Sequence, residues 1–335
     1  MGGDHAPARP VDGAVAAART HGLGIDLIGR ESAIRAELAR HPDIGDLDVR
    51  VIDAPEVIEM SESPSKALRK KPRASIRVAI EHVASGNAVA VFSAGHTGAS
   101  VVAAHAAFGM LSGVDRPALA PTVPTRSGSA VLLDAGATVE CKPAHLLQFG
   151  HMGAMYSRVG LGVEQPRVGL LSIGEEATKG NDLTREAHQL LKASSLQFIG
   201  NVEARGIFSG DADVIVCDGF TGNVALKLCE GLVEMVEDLL GEELQSTFSS
   251  QVGYLLSRRA FRRFRKRVDY SEFGGAPLLG VAGLCIVGHG RSSAKAVRNA
   301  VVMASRMAGN RLMERLGPQM AQIAQLAQNE SVSES

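Results

Sequence analysis

Short apolar runs alternate along the chain with longer stretches whose apolar positions recur at helical spacing. The runs Ile25–Ile28, Val49–Ala54, Ala88–Ser93, Ala130–Asp134, Val168–Ile173, Gln197–Ile199, Val214–Cys217 and Leu284–Val287 read as strands. Helices are predicted near Ser65–Gly86, Gly98–Leu111, Pro143–Val159, Thr184–Ala193, Asn223–Leu240 and Ser292–Arg315. The strands are continuously apolar rather than alternating, and each gives way to Gly or Asp and then a helix. That order predicts an α/β fold whose mostly parallel sheet is covered on both faces. No internal repeat is visible. Residues 1–324 read as one α/β domain, and the polar Gln325–Ser335 reads as a frayed tail.

Charge and composition narrow the classes. Lys and Arg total 35 against 36 for Asp and Glu, a net charge of −1. A general nucleic-acid binder would need a broad positive surface instead. Apolar content of 45% and charged content of 21% are those of a globular chain. Cys141, Cys217, Cys229 and Cys285 are scattered without a framework, which points to a reducing, intracellular compartment. The start Met1-Gly-Gly-Asp-His lacks the basic and apolar runs of a signal peptide. Val83 to Val114 carries no charged side chain, but the polar, glycine-broken Ser93-Ala-Gly-His-Thr-Gly98 interrupts it. A buried strand, loop and helix fit that stretch better than a membrane span.

Polar punctuation follows four of the strands: Ser93–Gly98, Asp134-Ala-Gly136, Gly174–Asn181 and Asp218–Asn223. In open α/β sheets, ligands gather at the carboxyl ends of strands, so four such loops predict one composite site. Ser93, Gly95, His96, Thr97 and Gly98 share with Asp218, Thr221, Gly222 and Asn223 a Thr-Gly step before a helix. Glycine lets backbone N–H groups turn toward a ligand, and a helix start favours an anion. The plainer reading is that Thr97 and Thr221 cap helices. Neither loop is a P-loop, and no dinucleotide fingerprint is present.

Lys179 and Asn181 offer a point charge and a neutral donor beside an anion, although a loop lysine is more often merely solvated. Asp4, His5 and Asp134 are candidate acids, bases or orienting groups. The histidines and cysteines lack metal-ligand spacing, so no metal and no cofactor is expected. No G-x-S-x-G elbow or activated cysteine supports acyl-enzyme chemistry.

Arg258-Arg-Ala-Phe-Arg-Arg-Phe-Arg-Lys-Arg267 carries seven cations in ten positions. At helical spacing Tyr254, Phe261, Phe264 and Val268 fall on one side, with Arg259, Arg263 and Lys266 away from it. Such a basic amphipathic helix, spanning about 241–270, suits an anionic membrane surface or an acidic protein partner. A solvated helix paired with glutamates is the alternative.

These pieces together resemble the acyl-[acyl-carrier-protein]:phosphate acyltransferases of bacterial phospholipid synthesis. The likeness rests on Met1-Gly-Gly-Asp4, Glu56–Ala67, Ser93–Ala99, Arg116-Pro-Ala-Leu119, Leu132–Gly136, Val168–Glu176, Lys179-Gly-Asn181, Gly200–Glu203, Asp213–Asn223, Phe273–Gly280 and Gly288-His-Gly290, close to the whole chain. The resemblance implies a Rossmann-like three-layer α/β/α fold of the isopropylmalate-dehydrogenase and phosphotransacetylase type, and a homodimer. It implies a cytoplasmic enzyme, peripheral to the inner face of the membrane, that converts acyl carrier protein thioester and inorganic phosphate to acyl phosphate. A membrane glycerol-3-phosphate acyltransferase would consume that product. Three positions depart from the family. A short apolar strand normally precedes Met-Gly-Gly-Asp, where this sequence begins; either the start lies too far downstream or the strand is missing, which would leave a sheet edge unpaired beside the site. His96 stands where the family has Asn, and Thr138 ends a motif that normally ends in Asn.

For that reaction Lys179, Asn181, Asn223 and the backbone at Gly95–Gly98 are expected to bind phosphate or the oxyanion. Asp4, His5, Asp134 and Asp218 would orient them. Acyl carrier protein or membrane would meet Arg258, Arg259, Phe261, Arg262, Arg263, Phe264 and Lys266, with the acyl chain in a groove at Pro277 and Leu278. A thioester needs little base catalysis, so positioning and oxyanion donors are expected to carry the rate. Acyl-CoA in place of the carrier thioester, a nicotinamide dehydrogenase of related fold, and a non-enzymatic membrane scaffold are the competing readings.

Overall fold

A computed structural model describes residues 1–268 and 270–333, with side chains described for 1–267 and 271–325. In chain order the elements are α1 (Ala8–His21), β1 (Ile25–Gly29), α2 (Glu31–Leu38), β2 (Val49–Asp53), α3 (Pro64–Lys70), α4 (Ser75–Ala84), β3 (Val91–Ser93) and α5 (Thr97–Phe108). Then come β4 (Ala118–Leu119), β5 (Thr122–Pro124), β6 (Ser129–Leu133), α6 (Pro143–Leu161), β7 (Arg167–Leu171), α7 (Asp182–Ala193), β8 (Gln197–Val202) and β9 (Val214–Val216). The chain ends with α8 (Gly219–Ser246), α9 (Phe248–Val268), β10 (Ala276–Leu279), β11 (Cys285–Val287), α10 (Ala294–Gly309) and α11 (Leu312–Ser333). The backbone of α11 thus runs into the segment expected to fray. The side chains of that segment from 326 onward lie outside the described residues, as do Glu334 and Ser335 altogether.

The strands form a parallel pair β1–β2, a four-stranded sheet in the order β3-β11-β10-β4, and a five-stranded sheet in the order β5-β6-β9-β7-β8. Among the described residues five of the pairings are parallel, which bears out the expected mostly parallel α/β architecture. The antiparallel pairings of β10 with β11 and β4, and of β5 with β6, depart from it. β4 is two residues long between Pro117 and Pro121, and β10 contains Pro277, so neither reads as a strand from its sequence. The predicted helix Ser65–Gly86 is broken around Pro72 into α3 and α4, because proline removes a donor and restricts the residue before it. Ser292–Arg315 likewise divides between α10 and α11.

Side chains alternate across each strand, and the cores follow that alternation. Val131, Leu133, Val214 and Val216 pack on one face with α6, α10 and α11 residues such as Phe149, Ala300 and Leu316. Ala130, Leu132 and Ile215 pack on the other with Ala225 and Leu226 of α8. The four-stranded sheet repeats the arrangement, with Val91, Cys285 and Val287 turned toward α3, α4 and α5. Three layers result. Among the described residues β1 pairs with β2, and β3 pairs with β11. A cavity of about 490 Å³ lies between β1 and β3. No helix among the described residues is long and apolar enough to cross a membrane.

Candidate active site

β6, β9, β7 and β8 run parallel, so the loops after them emerge on one edge of the five-stranded sheet. Asp134 organises that edge. It is fully buried, and its Oδ1 accepts from the N–H groups of Leu119 (2.7 Å), Gly136 (3.0 Å) and Ala137 (3.0 Å) while Oδ2 accepts from Thr138 N–H (2.6 Å). Burial pushes its carboxyl up to about 6, against the pull of those four donors. Expected among the substrate-binding residues, Asp134 instead turns both oxygens into the protein and holds β4, in the other sheet, against the 134–138 loop.

The start of α8 docks on this loop. Gly219 N–H donates to the Thr138 carbonyl (2.9 Å). A Cβ on Gly222 would lie 1.9 Å from the Asp134 carbonyl oxygen, and one on Gly219 2.5 Å from that of Thr138, so only glycine permits the approach. Asp218 caps α8 by accepting from Thr221 N–H (2.9 Å), and the Thr221 hydroxyl donates to the same carboxylate (2.7 Å). The cap is therefore Asp218, with Thr221 its partner. Asn223 is exposed one turn on, against Gly136.

Lys179 and Asn181 follow β7 on the same edge. Asn181 caps α7, its Oδ1 accepting from Thr184 N–H (2.9 Å). Lys179 is exposed, and among the described residues its ammonium makes no ion pair or hydrogen bond. No such bond joins it to the loops after β6 and β9 either.

The loop Ser93–Gly98 follows β3 in the four-stranded sheet. Ser93 Oγ accepts from Gly95 N–H (3.3 Å) and from Ser100 Oγ (3.3 Å). His96 is the N-cap residue of α5 but makes no side-chain cap, its Nε2 lying 3.2 Å from the Glu62 carbonyl. Thr97 and Gly98 open the helix, so Thr97 is not its cap. Asp4 N–H donates to the Gly290 carbonyl (3.0 Å), and Gly288 N–H to that of Ser93 (2.7 Å), which draws Asp4 and exposed His5 to this loop. At one of the departures, the Thr138 hydroxyl donates to the Pro117 carbonyl (2.8 Å).

Sequence reasoning misses His289 as a site residue. Its Nδ1 accepts from Arg291 N–H (3.1 Å), and burial, with Lys227 next, holds its imidazole below the ordinary range. Arg291 reaches Glu234 of α8 (3.0 Å), so this loop ties the β3 side to α8. A signal for it exists: Gly288-His-Gly290 follows the apolar run Leu284–Val287 as the other loops follow theirs. Pro277 and Leu278, expected to line an acyl groove, are a correction. They lie buried on β10, with Leu278 1% exposed in the core, because that strand pairs on both sides. On α9, Arg258, Arg259, Arg262, Arg263 and Lys266 are exposed, Phe264 is 44% exposed, and Phe261 packs on Tyr254 at 5.4 Å between ring centroids. The side chain of Val268 lies outside the described residues.

Residues 1–315 match the family described as fatty acid synthesis protein. A phosphate acyltransferase of Geobacter sp. (strain M21) is 54% identical over 308 residues, 92% of this chain and 87% of that one. The chain belongs to the phosphate acyltransferase family. A second member, from Pelotomaculum thermopropionicum, is 49% identical over 314 residues, 94% of this chain and 91% of its own. The phosphotransacetylase of Streptococcus pyogenes shares the fold, with a TM-score of 0.61, 16% identity, and coverage of 90% of this chain and 91% of that one. This phosphate acyltransferase family member is accordingly an enzyme of acyl transfer.

Proposed function

We propose that this enzyme transfers a long-chain fatty acyl group from acyl-[acyl-carrier-protein] to inorganic phosphate. A phosphate oxygen attacks the thioester carbonyl, the tetrahedral oxyanion collapses, the carbon–sulfur bond breaks, and the carrier thiolate leaves and takes up a proton. The observation that carries this reading is Lys179, unpaired among the described residues, on the sheet edge that also bears Asn223. The uncapped first turn of α5 adds backbone donors suited to an anion. An acyl-enzyme route gains no support from the nearby thiols. Burial pushes Cys141 up to about 11 and Cys217 well above its ordinary range.

In this reading Lys179, Asn223 and the Gly95–Gly98 backbone hold phosphate or the oxyanion, with Asn181 and Ser93 beside them. Asp4, His5, Asp134 and Asp218 position these groups. The exposed cations of α9 suit an acidic carrier protein or an anionic membrane surface, where a glycerol-3-phosphate acyltransferase would take the acyl phosphate. A homodimer is part of the same proposal.

Replacing Lys179 by Ala is expected to raise the KM for phosphate by roughly tenfold or more, the loss of one charge-assisted contact. Full turnover at limiting phosphate would overturn the assignment. The fold shared with phosphotransacetylases favours acyl-CoA as the second donor to try, in the same assay. Lipid binding without turnover from either donor would favour a scaffold.

A further inference from the structure

Segment 56–63 joins β2 to α3 and forms no regular element beyond a bridge of Glu56 with Ala74. It is tied down all the same. Ile58 is buried in the core shared by α3, α4 and α5. Glu62 closes a turn on Glu59: its N–H donates to the Glu59 carbonyl (3.0 Å), and Glu59 N–H donates to Glu62 Oε2 (2.8 Å). Lys71, the residue after α3, locks that turn. Its ammonium donates to the same Oε2 (2.5 Å) and to the Val57 carbonyl (2.6 Å). The Lys71 bond, with Glu59 N–H next, holds the Glu62 carboxyl below its ordinary range.

The turn lies against the loops of the candidate site. A Cβ on Gly290 would stand 3.6 Å from Met60 Cε and 3.6 Å from Asp4 Oδ1, so Met60 reaches the loop that receives Asp4. A Cβ on Gly98 would stand 3.0 Å from Pro64 Cγ and 3.3 Å from His96 Cε1. The His96 ring therefore lies over the first turn of α5, beside Pro64. Its Nε2 is 3.2 Å from the Glu62 carbonyl, which only accepts, so Nε2 carries the proton of that bond. In the neutral ring Nδ1 is then an acceptor, and it makes no cap bond to α5. A ring free to turn would offer Nδ1 to the first-turn N–H groups, as a capping side chain does, and take a donor from any anion. The bond to Glu62 holds it off.

We infer that Lys71 is a positioning residue for phosphate: through Glu62 it fixes the His96 ring and leaves the first-turn N–H groups of α5 to the anion. This rests on the reading of phosphate as substrate and adds to it the residues that keep its subsite open. An ion pair as exposed as Lys71 with Glu62, at 27% and 32%, contributes little to global stability. Its removal is therefore felt in phosphate binding.

The test is Lys71→Met, alone and in a His96→Ala background. Alone it is expected to raise the phosphate KM roughly fivefold, with kcat and the acyl-donor KM within about twofold of wild type. Lys71→Arg, which can reach both acceptors, is expected to recover most of the loss. In the His96→Ala background no ring is left to hold, so Lys71→Met should add less than about twofold. A rise that persists undiminished in that background, an unchanged KM, or a loss of kcat with a collapsed melting temperature that Lys71→Arg does not restore would overturn the proposal. Protection from thermal unfolding by inorganic phosphate, against chloride of matched ionic strength, reads binding without turnover. If wild type forms no acyl phosphate, the acyl-transfer reading fails, while weaker phosphate protection of Lys71→Met than of wild type still supports the positioning role. Equal protection of both proteins, or of neither, overturns it.

Discussion

The two sheet edges that flank the candidate site are built on opposite plans. On the five-stranded side, Asp134 accepts four backbone N–H bonds, and Asn181 and Asp218 cap the helices that follow. On the β3 side, α5 starts without a side-chain cap, and a cavity separates β3 from β1. On the first edge these side-chain oxygens satisfy the N–H groups of the loop and of the helix starts. The second leaves helix-start donors for something else to satisfy.

The largest test of the contrast is Asp134→Ala. It strands four N–H groups, those of Leu119 and Thr138 buried and those of Gly136 and Ala137 partly so, and is expected to cost about 4 kcal/mol of stability, read by denaturant unfolding, with activity lost in parallel. A cost under about 1 kcal/mol would show that the self-satisfied edge does not depend on this carboxylate.

Next in size is a pH effect. Burial pushes the Asp134 carboxyl up to about 6 in the folded protein, against roughly 3.9 unfolded. The stability it contributes is complete below about pH 4 and is lost as pH rises through 6. His151, pressed down to about 4 by burial, acts oppositely, losing its contribution as pH falls below the unfolded value. Subtracting the profile of Asp134→Asn isolates the carboxyl. The remainder is expected to gain about 2 kcal/mol between pH 7 and pH 4. A flat remainder would mean that the four donors fully offset burial.

Asn181 separates capping from phosphate binding. Asn181→Ala should cost about 1 kcal/mol, whereas Asn181→Asp keeps the cap and its stability. If the amide also donates to phosphate, Asn181→Asp raises the phosphate KM; an unchanged KM reduces Asn181 to a cap. The smallest effect makes the open side resemble the closed one. His96→Asp gives α5 a cap and is expected to add about 0.5–1 kcal/mol while weakening phosphate, since the new carboxylate takes the same donors. Gain in stability with phosphate affinity intact would place the anion elsewhere.

Much of this is legible in the sequence, and the remainder fails for identifiable reasons. Continuous apolar runs such as Val214–Cys217 and the Gly-Asp punctuation after them mark the parallel sheet and its loops. β4 and β10 hide because proline and brevity mask strands whose pairing is decided by distant partners. Pro277 and Leu278 are apolar and near a glycine-rich turn, but burial between two neighbouring strands is a tertiary fact that no local pattern carries. Asp134 is visible as a polar residue after a strand. That its oxygens face inward depends on Leu119, fifteen residues away in sequence and in another sheet.

The long helix has a mechanical consequence. α8 runs unbroken for 28 residues, so it is a rod of roughly 42 Å. Its foot is clamped by Gly219 and Gly222 against the Asp134 loop, and Arg291 braces it at Glu234. A lever clamped at one end magnifies displacement at the other: a tilt of about five degrees at the foot carries the far end through roughly 4 Å. Conversely, whatever grips the far end applies its torque to the turn that carries Asp218 and Asn223.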